Sequence, residues 1–381
     1  MTRAWYCCKG VVLMKKLGFG CMRFPLLDPN DPTSVDIPQV CDMVDAFLEK
    51  GFTYFDTAWF YHKGVSENIV KQVLVDRHPR HSFTLADKLP LSSLKEADEA
   101  RQAEIFAQQL EKCGVDHFDY YLMHNVNADS YQTAQRLGSF EFAAARKAEG
   151  KIRHLGFSFH DKADVLDKVL TEHPEVEFVQ LQLNYLDWES ITVQSRLCYE
   201  VAVKHGKKVV VMEPVKGGKL AAPPQEVIDL FRSHAPDASP ASWAIRFAAS
   251  LPEVMVVLSG MSDREQMADN TGYMADFVPL NGEEQAIVAQ AADIIRGDGT
   301  VPCTACAYCV DGCPQHIPIP EYFTLLNNSI RNPGPGYQAA YQALAAEHPI
   351  TCVYCGQCMR ACPQHIDVIG ALMTLKATFE G

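Results

Sequence analysis

Eight of the fourteen cysteines in this 381-residue chain fall near its C-terminus in two copies of one spacing. Cys303, Cys306, Cys309 and Cys313 precede Pro314, and Cys352, Cys355, Cys358 and Cys362 precede Pro363. The run C-x2-C-x2-C-x3-C-P lets a tight loop wrap three corners of an iron–sulfur cube while the fourth cysteine begins a new segment. The fourth thiolate of such a run ligates the other cluster. One [4Fe–4S] cluster is therefore assigned to Cys303, Cys306, Cys309 and Cys362, and a second to Cys352, Cys355, Cys358 and Cys313. Structural zinc held by four thiolates fits less well, because zinc ribbons pair two C-x-x-C knuckles and here a third cysteine follows at the same interval. A disulfide framework fits less well still, since the rest of the chain reads as cytoplasmic.

Cys313 and Cys362 each open the same run, Cys-Pro-Gln-His-Ile, which suggests an internally duplicated two-cluster ferredoxin module. His316 and His365 read as ordinary residues after the Cys-Pro turn, since four thiolates already complete each site. Upstream lies a second group of reactive side chains: Asp56 in Tyr-Phe-Asp-Thr-Ala, Tyr61 five residues on, Lys88 in Leu-Ala-Asp-Lys-Leu, and His124 in Tyr-Leu-Met-His. The elements that must position them are short apolar runs alternating with amphipathic stretches from Met14 to about residue 275. The runs are Leu17 to Cys21, Thr53 to Thr57, Phe83 to Lys88, His117 to Met123, Ile152 to Phe157, Phe178 to Leu183, Lys208 to Met212 and Val254 to Leu258. Helices are expected between them, such as Pro38 to Lys50 and Glu96 to Cys113. Eight such pairs predict a (β/α)₈ TIM barrel over residues 14–275, with reactive groups at the C-terminal ends of its strands. Residues 276–300 then read as a connecting helix and linker, the helix opening at Asn281 and stopping at Gly297. A small α-rich ferredoxin-like domain follows over 301–381, with a loop at Asn332 to Gly336 between the two cysteine motifs. Residues 1–13 read as an N-terminal extension, either a flexible arm or an upstream start ahead of Met14.

An Asp, Tyr, Lys and His in this order and these contexts, each at the same barrel rim, resembles the aldo-keto reductase family over about residues 14–275. The whole chain resembles the branch of that family with a C-terminal two-cluster ferredoxin-type domain. The resemblance implies reduction of a small-molecule carbonyl, or oxidation of an alcohol, with NADPH or NADH. It implies that Tyr61 supplies the proton, that Lys88 lowers the Tyr61 pKa from its reference of about 10, that Asp56 positions Lys88, and that His124 hydrogen-bonds the carbonyl. It further implies cofactor contacts at Ser158, Gln180, Met212, Pro214, Gly217, Gly218, Gly260, Arg264 and Asn270. Two departures from the family stand out. Met212, followed by Glu213, replaces the aromatic ring that often stacks on the nicotinamide, and Gln266 and Met261 stand where Arg and Ser often meet the 2′-phosphate, with Arg264 nearby as a substitute.

Clusters move one electron at a time and a nicotinamide moves two, so direct coupling asks for a group such as a flavin. Gly18-Phe-Gly20 lacks the following glycine and helix of a dinucleotide fingerprint, leaving a flavin without sequence support; an external redox protein is the other expected partner. The alternative is a redox-sensing or regulatory protein whose clusters are structural and whose barrel is not a competent reductase. A net charge of −13 argues against nucleic-acid or anionic-membrane binding. No apolar run reaches the roughly 18 residues of a membrane span. Asp187, Trp188 and Trp59 are further candidates for lining the substrate pocket.

Overall fold

The computed structural model describes residues 15–94 and 99–380. The expected extension with Cys7, Cys8 and Met14 lies outside the described residues, as do positions 95–98 at the start of the expected Glu96 to Cys113 helix, which is described from Glu99.

Eight parallel strands close into a barrel in sequence order: β1 (Leu17–Gly20), β2 (Tyr54–Asp56), β3 (Thr84–Pro90), β4 (Phe118–Val126), β5 (Ile152–Phe159), β6 (Phe178–Gln182), β7 (Lys208–Met212) and β8 (Val254–Ser259). β8 pairs back onto β1 with Gly18 opposite Leu258. Being covered on both faces, the strands are near-continuous apolar runs, as in Val209, Val210 and Val211 of β7, all fully buried. Tyr54, Ala86, Leu122, Phe178, Val210 and Val256 fill the barrel's interior below the rim. Gly156 in β5 makes room for that layer, because a Cβ there would lie 2.6 Å from the Phe178 ring.

The helices pack outside by amphipathic periodicity. Ile37–Glu49 starts where the Asp36 side chain accepts from Gln39 N–H, and it buries Val40, Met43, Val44 and Phe47 at three- and four-residue spacing. Gly282–Arg296 opens with a reciprocal capping box between Asn281 and Glu284. Val288, Ala291 and Ile295 of this helix share a core with Leu220, Phe231 and Trp243.

The C-terminal domain holds helices Tyr308–Asp311, Ile319–Arg331, Gly336–Glu347, Gln357–Ala361 and Val368–Glu380. Its own core forms around Ile319, Tyr322, Phe323, Leu326, Leu372 and Leu375. Asn332 to Pro335 breaks the chain between two of these helices, as the Pro and Gly there require. Among the described residues no helix is long and apolar enough to cross a membrane.

Candidate active site and cluster sites

β2 and β3 lie side by side with Asp56 opposite Ala86, and Lys88, two residues beyond Ala86, points to the same inner face. Lys88 Nζ therefore reaches Asp56 Oδ1 at 2.5 Å, donates to the Thr57 carbonyl at 2.7 Å, and lies 3.4 Å from the Tyr61 hydroxyl. The Lys88 and Asp56 side chains are 0% and 3% exposed. Tyr61 enters from a 3-10 turn, Tyr61–Gly64, in which His62 and Lys63 take left-handed backbone angles (φ 52° each). Packing holds that turn: His62 stacks on Phe24 at 5.5 Å and its ring nitrogens meet the Pro32 and Cys21 carbonyls. His124, from β4, faces the Tyr61 ring edge-on at 6.2 Å between centroids.

Burial raises the Asp56 pKa, and the Lys88 charge opposes the rise. The sequence led us to expect Lys88 to lower the Tyr61 pKa. Burial instead holds the phenol well above its ordinary value, with the Asp56 charge next in effect. The reason is geometric, since the ammonium is already neutralised by a carboxylate closer to it than the phenol. Burial, followed by the Lys88 charge, pushes His124 well below its ordinary range, so its imidazole is neutral.

A cavity of about 700 Å³ opens above these groups, with Asp56, Tyr61 and His124 at its inner end. Ser158, Gln180, Met212, Pro214, Gly217, Gly218, Gly260 and Asn270 all line it. Ser158 Oγ accepts from Asn125 N–H at 2.8 Å, and Asn270 Nδ2 donates to Ser259 Oγ at 2.9 Å. Gln180 Nε2 lies 3.7 Å from the Met212 sulfur, while its buried Oε1 has no partner among the described residues. That acceptor suits the N–H of a carboxamide, and the flexible Met212 thioether can pack against its ring. Arg264 departs from expectation: it does not line the cavity, and its guanidinium pairs with Asp42 on the surface. Asp187, Trp188 and Trp59 do not line it either. Asp187 binds Lys216 Nζ at 2.6 Å, Trp188 packs on Phe247, and Trp59 lies under Lys112.

Several lining residues escaped the sequence reading: Arg23, His160, Gln182, Thr304, Tyr308 and Gln364. Strand alternation could have found two of them, since His160 follows Ser158, and Gln182 follows Gln180, by two residues. Burial and then the charge of His365, from the second domain, push His160 down to about 4. Thr304, Cys306, Tyr308, Pro363 and Gln364 also come from the second domain, which sits over the barrel mouth. A buried network fixes it there. Gln182 and Gln364 exchange amide hydrogen bonds of 2.8 Å in both directions, and Lys216 Nζ, paired with Asp187, also donates to Gln364 Oε1 at 2.8 Å.

The cysteines gather in two sets. Cys303, Cys306, Cys309 and Cys362 wall one small cavity with Phe323, Ile366 and Val368, and Cys313, Cys352, Cys355 and Cys358 wall another with Ile317 and Leu372. Each set takes three cysteines from one motif and the fourth from the other. No disulfide joins any of the described cysteines. Among the described residues no three metal-ligating side chains converge closely enough for a single ion. Each set offers four thiolates, the donor set of a [4Fe–4S] cluster. Ala305 N–H and Tyr354 N–H each point at the sulfur two residues before, Cys303 and Cys352, at 3.4 Å. Such hydrogen bonds tune a cluster's potential. Burial pushes Cys306 up to about 11 and Cys309 to about 12, so assembly of a cluster displaces protons from these thiols.

A closed eight-stranded barrel with Asp, Tyr, Lys and His at its C-terminal rim defines a reductase of the aldo-keto type. Residues 16–293 match the model of the aldo/keto reductase family, and residues 302–366 match the model of the 4Fe-4S dicluster domain. The chain belongs to the aldo/keto reductase family and carries a C-terminal 4Fe-4S ferredoxin-type domain. Among curated proteins it is 22% identical to the uncharacterized oxidoreductase YqkF of Bacillus subtilis, over 68% of this chain and 86% of that one. It is 23% identical to a probable aldo-keto reductase of Glycine max, over 74% and 86% respectively. An aldo-keto reductase from Bacillus halodurans in its holo form shares the fold at a TM-score of 0.57 and 24% identity, covering 72% of this chain and 91% of that one. One from Klebsiella pneumoniae in complex with NADPH does so at 0.56 and 18%, covering 74% and 91%.

Proposed function

We propose that the protein reduces the carbonyl of a small molecule, or oxidises the corresponding alcohol, with a nicotinamide dinucleotide, and that two [4Fe–4S] clusters carry electrons beside the same chamber. The observation that carries this reading is the buried Asp56–Lys88–Tyr61 chain beside a neutral His124 at the inner end of the cavity. A nicotinamide held against Ser158, Gln180 and Met212 would supply the hydride, and the clusters, which move one electron at a time, would stand outside that step and exchange electrons with an external redox partner. His124, uncharged, donates a hydrogen bond to the carbonyl oxygen. Tyr61, which burial keeps protonated, delivers its proton as that oxygen becomes basic. Lys88, fixed by Asp56 and the Thr57 carbonyl, stabilises the tyrosinate as it forms.

NADH is the better-matched cofactor. Glu265 and Asp269 line the cavity beside Asn270, and their carboxylates disfavour a 2′-phosphate and suit a ribose hydroxyl. An external redox protein would meet the cluster set that includes the exposed Cys355. Free thiols and cluster ligands suit a reducing, cytoplasmic setting. The test is anaerobic turnover of a panel of carbonyl compounds with NADH and NADPH. Tyr61→Phe lowers kcat by about 10² to 10⁴ while leaving the nicotinamide dissociation constant unchanged; full activity in that variant would overturn the assignment.

A further inference from the structure

We propose that Arg23 and Thr304 form a clamp, shared between the barrel and the cluster domain, for the pyrophosphate of the dinucleotide. This rests on the reading of the large cavity as a nicotinamide dinucleotide site. Arg23 is the only Lys or Arg among the residues lining that cavity, against the carboxylates of Asp56, Glu213, Glu265 and Asp269. A dinucleotide carries its anion at mid-length. Arg23 lies against Gly260, in the segment that joins β8 to the helix bearing Glu265 and Asp269.

Three contacts place it. Arg23 ends the turn after β1, Cys21–Arg23, and its side chain crosses Gly260, where an added Cβ would come within 3.1 Å of it. Arg23 Nη2 donates to the Thr304 carbonyl at 2.8 Å. Gly217, at φ +62°, is pressed on Thr304 so closely that a Cβ would lie 2.6 Å from its Cα. Arg23, Gly217, Gly260 and Thr304 thus meet at one point on the wall.

Two polar groups remain for a ligand there. A guanidinium carries five N–H donors in a fork that matches phosphate, and among the described residues no carboxylate forms an ion pair with Arg23. Thr304 is 2% exposed and its Oγ1 has no partner among the described residues, although a buried hydroxyl ordinarily finds one. The duplicated motif supplies an internal comparison. The equivalent of Thr304 in the second copy is Val353, which is 55% exposed and faces no barrel. A phosphate bound by both residues spans the two domains, so the dinucleotide favours the arrangement in which they touch.

The test uses the anaerobically purified holoprotein and calorimetric affinities for NADH, NADPH and ADP-ribose, with adenosine as the ligand lacking a pyrophosphate. Arg23→Met weakens the first three by about 10- to 100-fold, the range of a charged hydrogen-bonded contact, and adenosine not at all. NADH and NADPH lose affinity equally, which separates this effect from recognition of a 2′-phosphate. Arg23→Lys recovers only part of the loss, and Thr304→Val weakens binding by about tenfold. Iron content and visible cluster absorbance report that the variants are folded. In the wild type, saturating NADH also slows limited proteolysis at Gly297 to Thr300, an effect lost in Arg23→Met. Equal NADH affinity in the wild type and Arg23→Met, with clusters intact, overturns the clamp. If the wild type binds none of the dinucleotides, the reading beneath it fails and the clamp fails with it.

Discussion

Replacing Lys88 by Met separates the structural and chemical roles of the buried ion pair. The pair is 2.5 Å long and its side chains are 0% and 3% exposed, so removing the ammonium leaves the buried Asp56 carboxylate without its counter-charge. Breaking a buried pair by deleting one partner costs about 3 to 5 kcal/mol. For a domain of this size that lowers Tm by about 6 to 10 °C at pH 8. The penalty depends on pH with a definite sign. Burial already raises the Asp56 pKa and only the Lys88 charge restrains it, so the variant raises it further. A carboxyl with a raised folded-state pKa binds more protons folded than unfolded. Stability therefore falls as pH rises from the unfolded value of about 3.9 to the folded value. Each pH unit lower within that window returns at most about 1.4 kcal/mol, and the Tm deficit shrinks as pH falls through the raised folded-state value. Scanning calorimetry of Lys88→Met and Asp56→Leu/Lys88→Met measures this. The double variant, with no stranded charge, recovers most of the Tm while remaining inactive. A single-variant deficit below 2 °C, or one independent of pH, would refute the reasoning.

The remaining predictions concern cofactor choice, the clusters and the domain contact. NADH supports turnover with about fivefold higher kcat/KM than NADPH, because a 2′-phosphate near one carboxylate meets about 1 kcal/mol of repulsion even in water-like surroundings; Glu265→Ser with Asp269→Arg narrows the ratio, and an unchanged ratio refutes it. Anaerobic preparations contain about eight iron and eight sulfide per chain, and Cys306→Ala lowers both by about half; stoichiometric zinc without colour would end the cluster assignment. Gln364→Leu leaves Gln182 and Lys216 short of partners, costs about 1 to 3 kcal/mol, and speeds proteolysis at Gly297 to Thr300. The matching Gln315→Leu, on the exposed face of the other motif copy, changes little; equal effects of the two would remove the latch.

The barrel was legible because its strands are nearly continuous apolar runs bounded by turns, and every expected strand lies within a few residues of an observed one. The cysteine sets were legible from spacing alone. The electrostatics of Tyr61 were not, because the outcome depends on whether Asp56 or the phenol lies nearer Lys88, a distance no motif encodes. Arg264 was placed at the cavity for a related reason, since proximity in sequence says nothing of the Asp42 carboxylate with which it pairs on the surface. Arg23, Thr304, Tyr308 and Gln364 carried no readable signal, because each acquires meaning only when a second domain folds over the first.

The duplicated motif shows how that second domain came to serve the barrel without changing its backbone. The two copies match in left-handed angles, Ala305 with Tyr354 (φ 52° and 56°), Ala307 with Gly356 (63° and 72°) and His316 with His365 (50° and 52°). Conformation is thus conserved between the copies, even where alanine replaces the glycine that such angles favour. The side chains differ by orientation toward the barrel. Thr304 and Tyr308 line the cavity, while their counterparts Val353 and Gln357 do not; Gln364 is buried in the interface, while Gln315 is exposed. Each copy therefore gives the chamber different residues from the same scaffold. Because Cys306 and Cys309 flank Tyr308, and Cys362 lies two residues before Gln364, one cluster's ligands hold both segments in place. On the proposed assignment, loss of that cluster would loosen Tyr308 and Gln364 together, and with them the wall that the second domain gives the cavity.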